Sequence, residues 1–258
     1  MTNAPFSARL GSVARAPFAV LKQFRPDRPI HTVGVGLEGV LTRTGTGASG
    51  ISWIDESGQD TVRARFSRSA GFPHGWPDIL GLALRCPAPV AEGTDGSPSE
   101  RTDGAAGEHT GAPVGDCADI LLATSGSGRL TRFVPTFHRR VPDGAFTSFM
   151  PYRGTNGPVL VAARSLPRAE PLPSRPDLFL ASIAAEPWSL DLHWATPLGG
   201  WRRFGTVVMR PGRPVDQTER FDPLRNVPVG ATNYGWTHCL REPSYELART
   251  SPEPRHRA

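Results

Sequence analysis

Glycine and proline break this sequence into short segments along its whole length. The 258 residues include 28 glycines and 27 prolines, and both residue types interrupt helices and mark turns. The hydrophobic fraction of 38% becomes a normal globular value once the glycines are added. We therefore expect a sizeable core built from many short strands, with long helices in the minority.

Apolar runs of strand length recur between these breaks. The run Ser189–Ala195 alternates polar and apolar residues, as a strand with one buried face does. The runs Asp78–Arg85 and Asp119–Thr124 have the composition of core strands. Further runs of this kind are His31–Leu41, Thr61–Ser67, Pro158–Arg164, Leu178–Ile183 and Gly205–Arg210. The pattern predicts a mainly β fold class, an antiparallel β-barrel with a few peripheral helices.

Composition also divides the chain into regions. Residues 1–23 predict an N-terminal arm with a short helix, and residues 24–258 a single barrel domain. Between 88 and 115 aromatic residues vanish and small or acidic residues take over, which predicts a disordered insertion in the turn of a strand pair. The entropy of loop closure grows slowly with length, so the fold tolerates it. Arg241–Ser251 suits a C-terminal helix.

Charge and cysteine content exclude several classes of protein. The net charge is +5, but no basic run or recognition-helix pattern accompanies it, which argues against nucleic-acid binding. The three cysteines Cys86, Cys117 and Cys239 are widely spaced and predict neither a disulfide framework nor a zinc site. No stretch approaches the ~20 apolar residues of a membrane span. The expected location is cytoplasmic.

The segment Gly34–Gly39 fits Gly-x-Gly-x-x-Gly, which binds a pyrophosphate when it joins a strand to a helix. Here RPDRPI precedes the motif in place of an apolar strand, and VLTRTGTGASG follows in place of a helix. The context therefore disfavours dinucleotide binding. We interpret the glycines as part of a barrel strand, where they allow bends and close backbone approach.

The same glycines, taken with the residues before them, resemble the first barrel strand of the haem catalases and their shorter catalase-like relatives. Arg28–Gly39 has that family's Arg-x-x-His-x-x-Gly-x-Gly-x-x-Gly order. Val62–Ser67, followed by Gly71, resembles the family's Val-Arg-Phe-Ser…Gly element. Asp78–Leu84 and Asp119–Leu122 resemble its next two strands.

The resemblance implies roles for residues on these strands, with haem b as the cofactor. His31 would be the distal base, and Ser67 would support it by hydrogen bonding. Arg28 and Arg65 would face the haem propionates, because a guanidinium fork suits a carboxylate.

The sequence departs from the family at one distal position. Where catalases have an asparagine, this chain has Ala123. The neighbouring Thr124 is then the candidate catalytic hydroxyl, able to donate one hydrogen bond to a bound peroxide. The resemblance therefore implies weak true catalase activity and favours peroxidase-like oxidation of an organic substrate whose identity the sequence does not reveal.

Catalases use a tyrosinate as the axial iron ligand. Of the three tyrosines, only Tyr245 has an arginine, Arg241, four residues before it on a predicted helix. Positions four apart share a helical face, so this guanidinium can favour the phenolate. Arg249, four residues further on, lies on the same face and would meet a propionate. The resemblance implies that Tyr245 ligates the haem iron.

The function implied by the resemblance is that of a haem-dependent oxidoreductase, catalase- or peroxidase-like, acting on hydrogen peroxide or an organic peroxide. Two alternatives stay open at this point. One is a barrel that binds haem or another ligand without turnover. The other is a phosphodiesterase-type hydrolase whose arginines bind phosphate. A homodimer is an open alternative to a monomer.

Overall fold

The computed structural model of the chain describes residues 33–69, 71–73, 75–87, 117–141, 145–214 and 221–237. Nine strands lie in these residues: β1 Val33–Thr44, β2 Ser57–Arg68, β3 Leu80–Pro87, β4 Cys117–Ser125, β5 Ala145–Thr147, β6 Tyr152–Gly154, β7 Gly157–Ser165, β8 Trp188–Ala195 and β9 Arg202–Pro211. The helical segments are α1 Ser52–Asp55, α2 Pro176–Ala185 and a 3-10 turn at Thr131–Phe133.

The strands form a closed antiparallel barrel. Their order is β5-β4-β3-β2-β1-β9-β8-β7-β6, and an additional pairing of β5 with β7 closes a ring of eight, leaving β6 as an appended strand. Every pair of neighbours is antiparallel. The prediction of a mainly β, antiparallel barrel is confirmed.

The two central apolar runs pair as the sequence predicts. Strands β3 and β4 are antiparallel neighbours, with Leu82 opposite Leu122 and Arg85 opposite Asp119. The insertion predicted between them, at 88–115, lies outside the described residues, as do the predicted N-terminal arm and C-terminal helix.

One predicted strand is wrong. Leu178–Ile183 belongs to helix α2, which begins with Pro176 at its first turn, a position that suits proline. The run is too short for its apolar residues to distinguish a strand from a helix. Phe179 and Ile183 are four residues apart, on one face of the helix, and both are fully buried. The Phe179 ring stacks on Phe66 of β2 at 4.2 Å, so the helix packs against barrel core.

Apolar side chains fill the barrel interior. Alternate residues of each strand point inward, and Trp188, the first residue of β8, is fully buried against Phe66, Phe146 and Phe179. Other inward residues from seven of the strands are Leu37, Leu41, Val62, Leu82, Leu84, Ile120, Leu122, Val161, Leu192 and Val207. The interior is thus a packed core, and a large ligand has to bind outside it.

The loop between β1 and α1 is organised by one carboxylate. The sequence predicts Asp55 and Glu56 as solvated turn residues. Glu56 is indeed exposed, but the Asp55 carboxylate accepts four hydrogen bonds. The donors are the Thr46 hydroxyl and the backbone amides of Ala48, Ser49 and Gly50, at 2.8–3.0 Å. Asp55 is therefore a structural residue of this loop.

Asp55 gives the fold a measurable pH dependence. Burial alone would raise its pKa, but the hydrogen bonds from Ser49, Thr46 and Gly50 outweigh burial and hold the pKa below its ordinary value. Stabilisation by this carboxylate is therefore complete above the unfolded pKa and is lost as pH falls through the folded one. We expect the free energy of unfolding, measured with urea, to fall less between about pH 5 and about pH 2 in Asp55→Asn than in wild type.

The matched control for this prediction is Glu56→Gln, a change at the neighbouring exposed side chain. This variant should retain the wild-type acid loss. Identical acid losses in wild type and Asp55→Asn would contradict the role assigned to Asp55.

Candidate functional site

A row of small side chains crosses the outer face of the barrel. In the strand register Gly34 lies opposite Ser67, Ser67 opposite Gly81, Gly81 opposite Ala123, and Ala123 opposite Thr147. Neighbours of these residues along each strand point into the core, so the row itself faces outward. The small residues of the row, in order, are Gly34, Ser67, Gly81, Ala123, Thr147 and Ala162, and the next position in the register is His193.

A second outward-facing row runs beside it and contains Arg65. Gly36 lies opposite Arg65, Arg65 opposite Ala83, and Ala83 opposite Leu121. The Arg65 side chain bends across to the first row: its Nε lies 2.5 Å from the point where a β-carbon on Gly34 would be. The glycine therefore makes room for the guanidinium, and burial lowers the pKa of Arg65.

The structure brings two of the predicted site residues together. Ser67 and Arg65 are two positions apart on β2 and share the outer face, where Ser67 is only 5% exposed. Strand β1 passes straight through the Gly34–Gly39 motif, paired with β2 at each position. The interpretation of these glycines as part of a barrel strand is confirmed.

Thr124 does not join them. It is fully buried on the inner side of β4, where its hydroxyl donates to the Thr136 carbonyl at 2.7 Å and accepts from the Leu80 amide at 3.1 Å. Its neighbour Ser125 faces outward instead, with its Oγ 2.9 Å from the Thr147 hydroxyl. Thr124 is thus a hydrogen-bonded structural residue on the opposite side of the sheet from Arg65.

An ion pair with a fully buried carboxylate borders the rows on one side. Arg85 donates two hydrogen bonds to Asp119, at 2.7 and 2.8 Å, and Asp119 is fully buried. The same carboxylate accepts from the Asp222 amide and from the Asn226 side chain, both at 2.7 Å. The Phe221 ring lies 4.8 Å from the Arg85 guanidinium. Residues 221–226 are thereby tied to the outer side of β4.

A second polar cluster ends the small-residue row. His193 on β8 lies opposite Ala162, and Arg164 lies opposite Asp191. Burial, then the charge of Arg164, lowers the pKa of His193. Burial would raise the pKa of Asp191, but hydrogen bonds from Arg203 and Thr206 hold it below its ordinary value. Sequence reasoning did not assign His193 and Arg164 to the site, although the alternation of β8 places His193 on its outer face.

Five predicted site residues lie outside the described residues: Arg28, His31, Arg241, Tyr245 and Arg249. Within the described ranges, no group of three or more His, Cys, Asp or Glu side chains is placed to hold a metal ion. The same ranges contain no helix with the length and apolar character needed to cross a membrane.

Comparison with known proteins gives limited similarity. No family model matches the chain, and no curated protein matches it. Among solved structures, the chain is similar to a bacterial catalase with a TM-score of 0.47 and 14% sequence identity, over 100% of this chain and 67% of that one. The closed barrel itself is established by the strand pairing of this chain.

Proposed function

We propose that this chain is a haem-dependent oxidoreductase of the catalase or peroxidase kind, which uses hydrogen peroxide or an organic peroxide. One observation carries the proposal: the half-buried Arg65 lies across Gly34 on an outer face lined by small residues. Because apolar side chains fill the interior, we place a large planar ligand on the outer side of the barrel, beside Arg65.

The described residues fit haem. Neighbouring strands lie about 4.8 Å apart, so the rows from β1 to β4 span about 14 Å, comparable to the width of a tetrapyrrole. Glycine or alanine on β1, β3 and β4 lets a flat ring approach the backbone. The Arg65 guanidinium, whose charge is penalised by burial, is suited to a propionate carboxylate. A β-carbon on Gly34 would intrude at this point.

By the resemblance, Arg65, Arg28 and Arg249 would hold the propionates, and Tyr245, supported by Arg241, would hold the iron. When bound, haem supplies an iron centre that peroxide can oxidise. The protein's part is acid–base work: His31 would take a proton from one peroxide oxygen and return it to the departing one. Ser67 would orient His31.

The distal side lacks the amide of the catalase family. Ala123 occupies the outer face at that position, between Gly81 and Thr147 in the row. A methyl group donates no hydrogen bond to a second peroxide molecule. We therefore place the activity nearer to peroxidase-like oxidation of an organic substrate than to fast disproportionation of peroxide.

The test begins with the absorption spectrum of protein purified after iron-replete expression, which should show a Soret band. In His31→Ala the band should persist, because His31 is assigned to the peroxide side, whereas peroxide turnover should fall by about 100-fold or more, as on loss of a general base. Unchanged turnover would remove His31 from the mechanism. A Soret band without peroxide consumption in wild type would favour a binding barrel, and a colourless, iron-free protein the hydrolase alternative.

The cradle formed by Gly34 and Arg65 provides a second test. Arg65→Ala removes a charge-assisted contact to a propionate, and haem affinity should fall by about tenfold to 100-fold. Gly34→Val should give a similar loss, because its side chain displaces the guanidinium. Titration of the apoprotein with haem measures both.

The matched control is Gly200→Val, where an added β-carbon meets nothing within 4 Å. It should bind haem like wild type. Gly34→Val is expected to weaken haem binding by displacing Arg65. When Arg65 is already replaced by alanine, Gly34→Val should therefore cause little further loss of haem affinity. Full additivity of the two losses would contradict that mechanism.

A further inference from the structure

Three aromatic side chains are exposed in two neighbouring loops at one end of the barrel. Phe72 is 41%, Trp76 64% and Phe137 55% exposed, and the Phe72 and Phe137 rings lie 6.4 Å apart. Asp78 and His138 join the two loops by reciprocal backbone hydrogen bonds of 2.9 and 2.8 Å. We call Phe72, Trp76 and Phe137 the aromatic patch. Adjacent exposed aromatic residues of this kind mark binding surfaces.

A buried ion pair fixes the loop that carries two of these residues. Arg68, 3% exposed, pairs with the fully buried Asp78 at 3.3 Å. The Arg68 guanidinium also donates to the Trp76 carbonyl at 2.8 Å and the Phe72 carbonyl at 3.3 Å. Asp78 accepts from the amides of Gly71 and Phe72. The aromatic side chains are therefore displayed on an anchored backbone.

The surroundings of the patch are basic. Arg139 and Arg140 follow Phe137 after one intervening residue, His138, and both are exposed. The Arg139 carbonyl accepts from the Ser174 hydroxyl, which in turn accepts from Arg68, so these arginines lie beside the base of the loop. Among the described residues of 71–78 and 126–141, Asp78 is the only acid, and it is buried. The adjoining segment contributes Glu170 and Asp177, and Asp177 is paired with Arg175.

We propose that the aromatic patch, with Arg139 and Arg140, is a docking surface for an anionic phospholipid bilayer. Tryptophan and phenylalanine side chains partition into the boundary between headgroups and acyl chains, while arginine pairs with headgroup phosphates. A second copy of the chain fits less well, because a symmetric contact through this patch would bring like-charged arginines together. The patch residues are distant in sequence from Tyr245, the proposed iron ligand, and the proposed membrane docking does not depend on haem binding.

The test is flotation of the full chain with phosphatidylcholine vesicles that contain phosphatidylserine, compared with phosphatidylcholine alone, at low and high salt. The wild type should bind the anionic vesicles more tightly, and salt should weaken this binding. Arg139→Gln with Arg140→Gln should lose about fivefold per arginine. Trp76→Ser and Phe137→Ser should each lose about tenfold or more.

The matched control is Val229→Ser, a change at a 42% exposed apolar residue whose carbonyl accepts from the Trp53 amide of α1, at the other end of the barrel, which should bind like wild type. Circular dichroism verifies that the variants are folded. The proposal is overturned if wild type fails to bind anionic vesicles, if neutral vesicles bind equally well, or if the patch variants bind like wild type. Sedimentation showing a dimer that the patch variants dissociate would assign the surface to a second copy instead.

Discussion

Asp119→Ala is expected to destabilise the barrel by about 3–5 kcal/mol, the typical cost of removing one partner from a buried ion pair. Asp119 is fully buried, and its loss would leave the Arg85 guanidinium, which lies over the Phe221 ring, without this carboxylate. It would also remove the acceptor for the Asp222 amide and the Asn226 side chain. Urea unfolding monitored by tryptophan fluorescence measures the loss.

Asp191→Ala is the matched control. Asp191 also forms an ion pair with an arginine on the outer face of a neighbouring strand, but this Arg203 side chain is 48% exposed. Exposed pairs contribute about 0–1 kcal/mol, so the control should lose little stability. Equal losses of stability in the two variants would show that the hydrogen bonds around Asp119 contribute no more than an exposed ion pair does.

Most barrel strands could be predicted because their signal is local. The alternation in Ser189–Ala195 and the β-branched run at Gly205–Arg210 lie within β8 and β9. Glycine and proline mark the intervening turns. Alternation of the side chains fixes which residues face the core, and it requires no knowledge of the neighbouring strand.

Closure of the barrel could not be predicted in the same way. Strands β5 and β6 are each three residues long, too short for a periodic pattern. The pairing of β5 with β7 that closes the ring skips the intervening strand β6, and the pairing of β1 with β9 joins residues distant in sequence. Helix α2 could not be predicted for a related reason, because a short apolar run has no clear period. The packing of Phe179 against Phe66 favours the helix over a strand.

The candidate site also has one part that the sequence predicts and another that it does not. Arg65 and Ser67 share a face because they are two positions apart on one strand, which the sequence implies. Thr124 could not be placed, because Ile120, Leu121 and Leu122 form a continuous apolar run whose inward phase is ambiguous. The row from Gly34 to His193 depends on the register of seven strands, and a single sequence does not contain that information.

Tyr245→Phe is expected to have the largest effect on cofactor binding. The proposed function assigns the axial position to this phenolate, and phenylalanine keeps the ring while removing the oxygen that would ligate iron. The variant should fold normally, yet its haem affinity should fall by more than the ~10–100-fold typical of losing a residue that supports a ligand. Haem titration and the position of the Soret band measure the effect.

The chain itself supplies the comparisons that make this result decisive. Arg241→Ala should lose about 10–100-fold in haem affinity, because the phenolate keeps its bond to iron but loses the charge that favours its ionised form. Tyr152→Phe and Tyr234→Phe remove the same hydroxyl from the other two tyrosines and should leave the Soret band in place. The expected order of loss is therefore Tyr245, then Arg241, then the control tyrosines. An unaltered spectrum in Tyr245→Phe would mean that iron has another ligand, and the assignment of Arg241 and Arg249 beside it would fall as well.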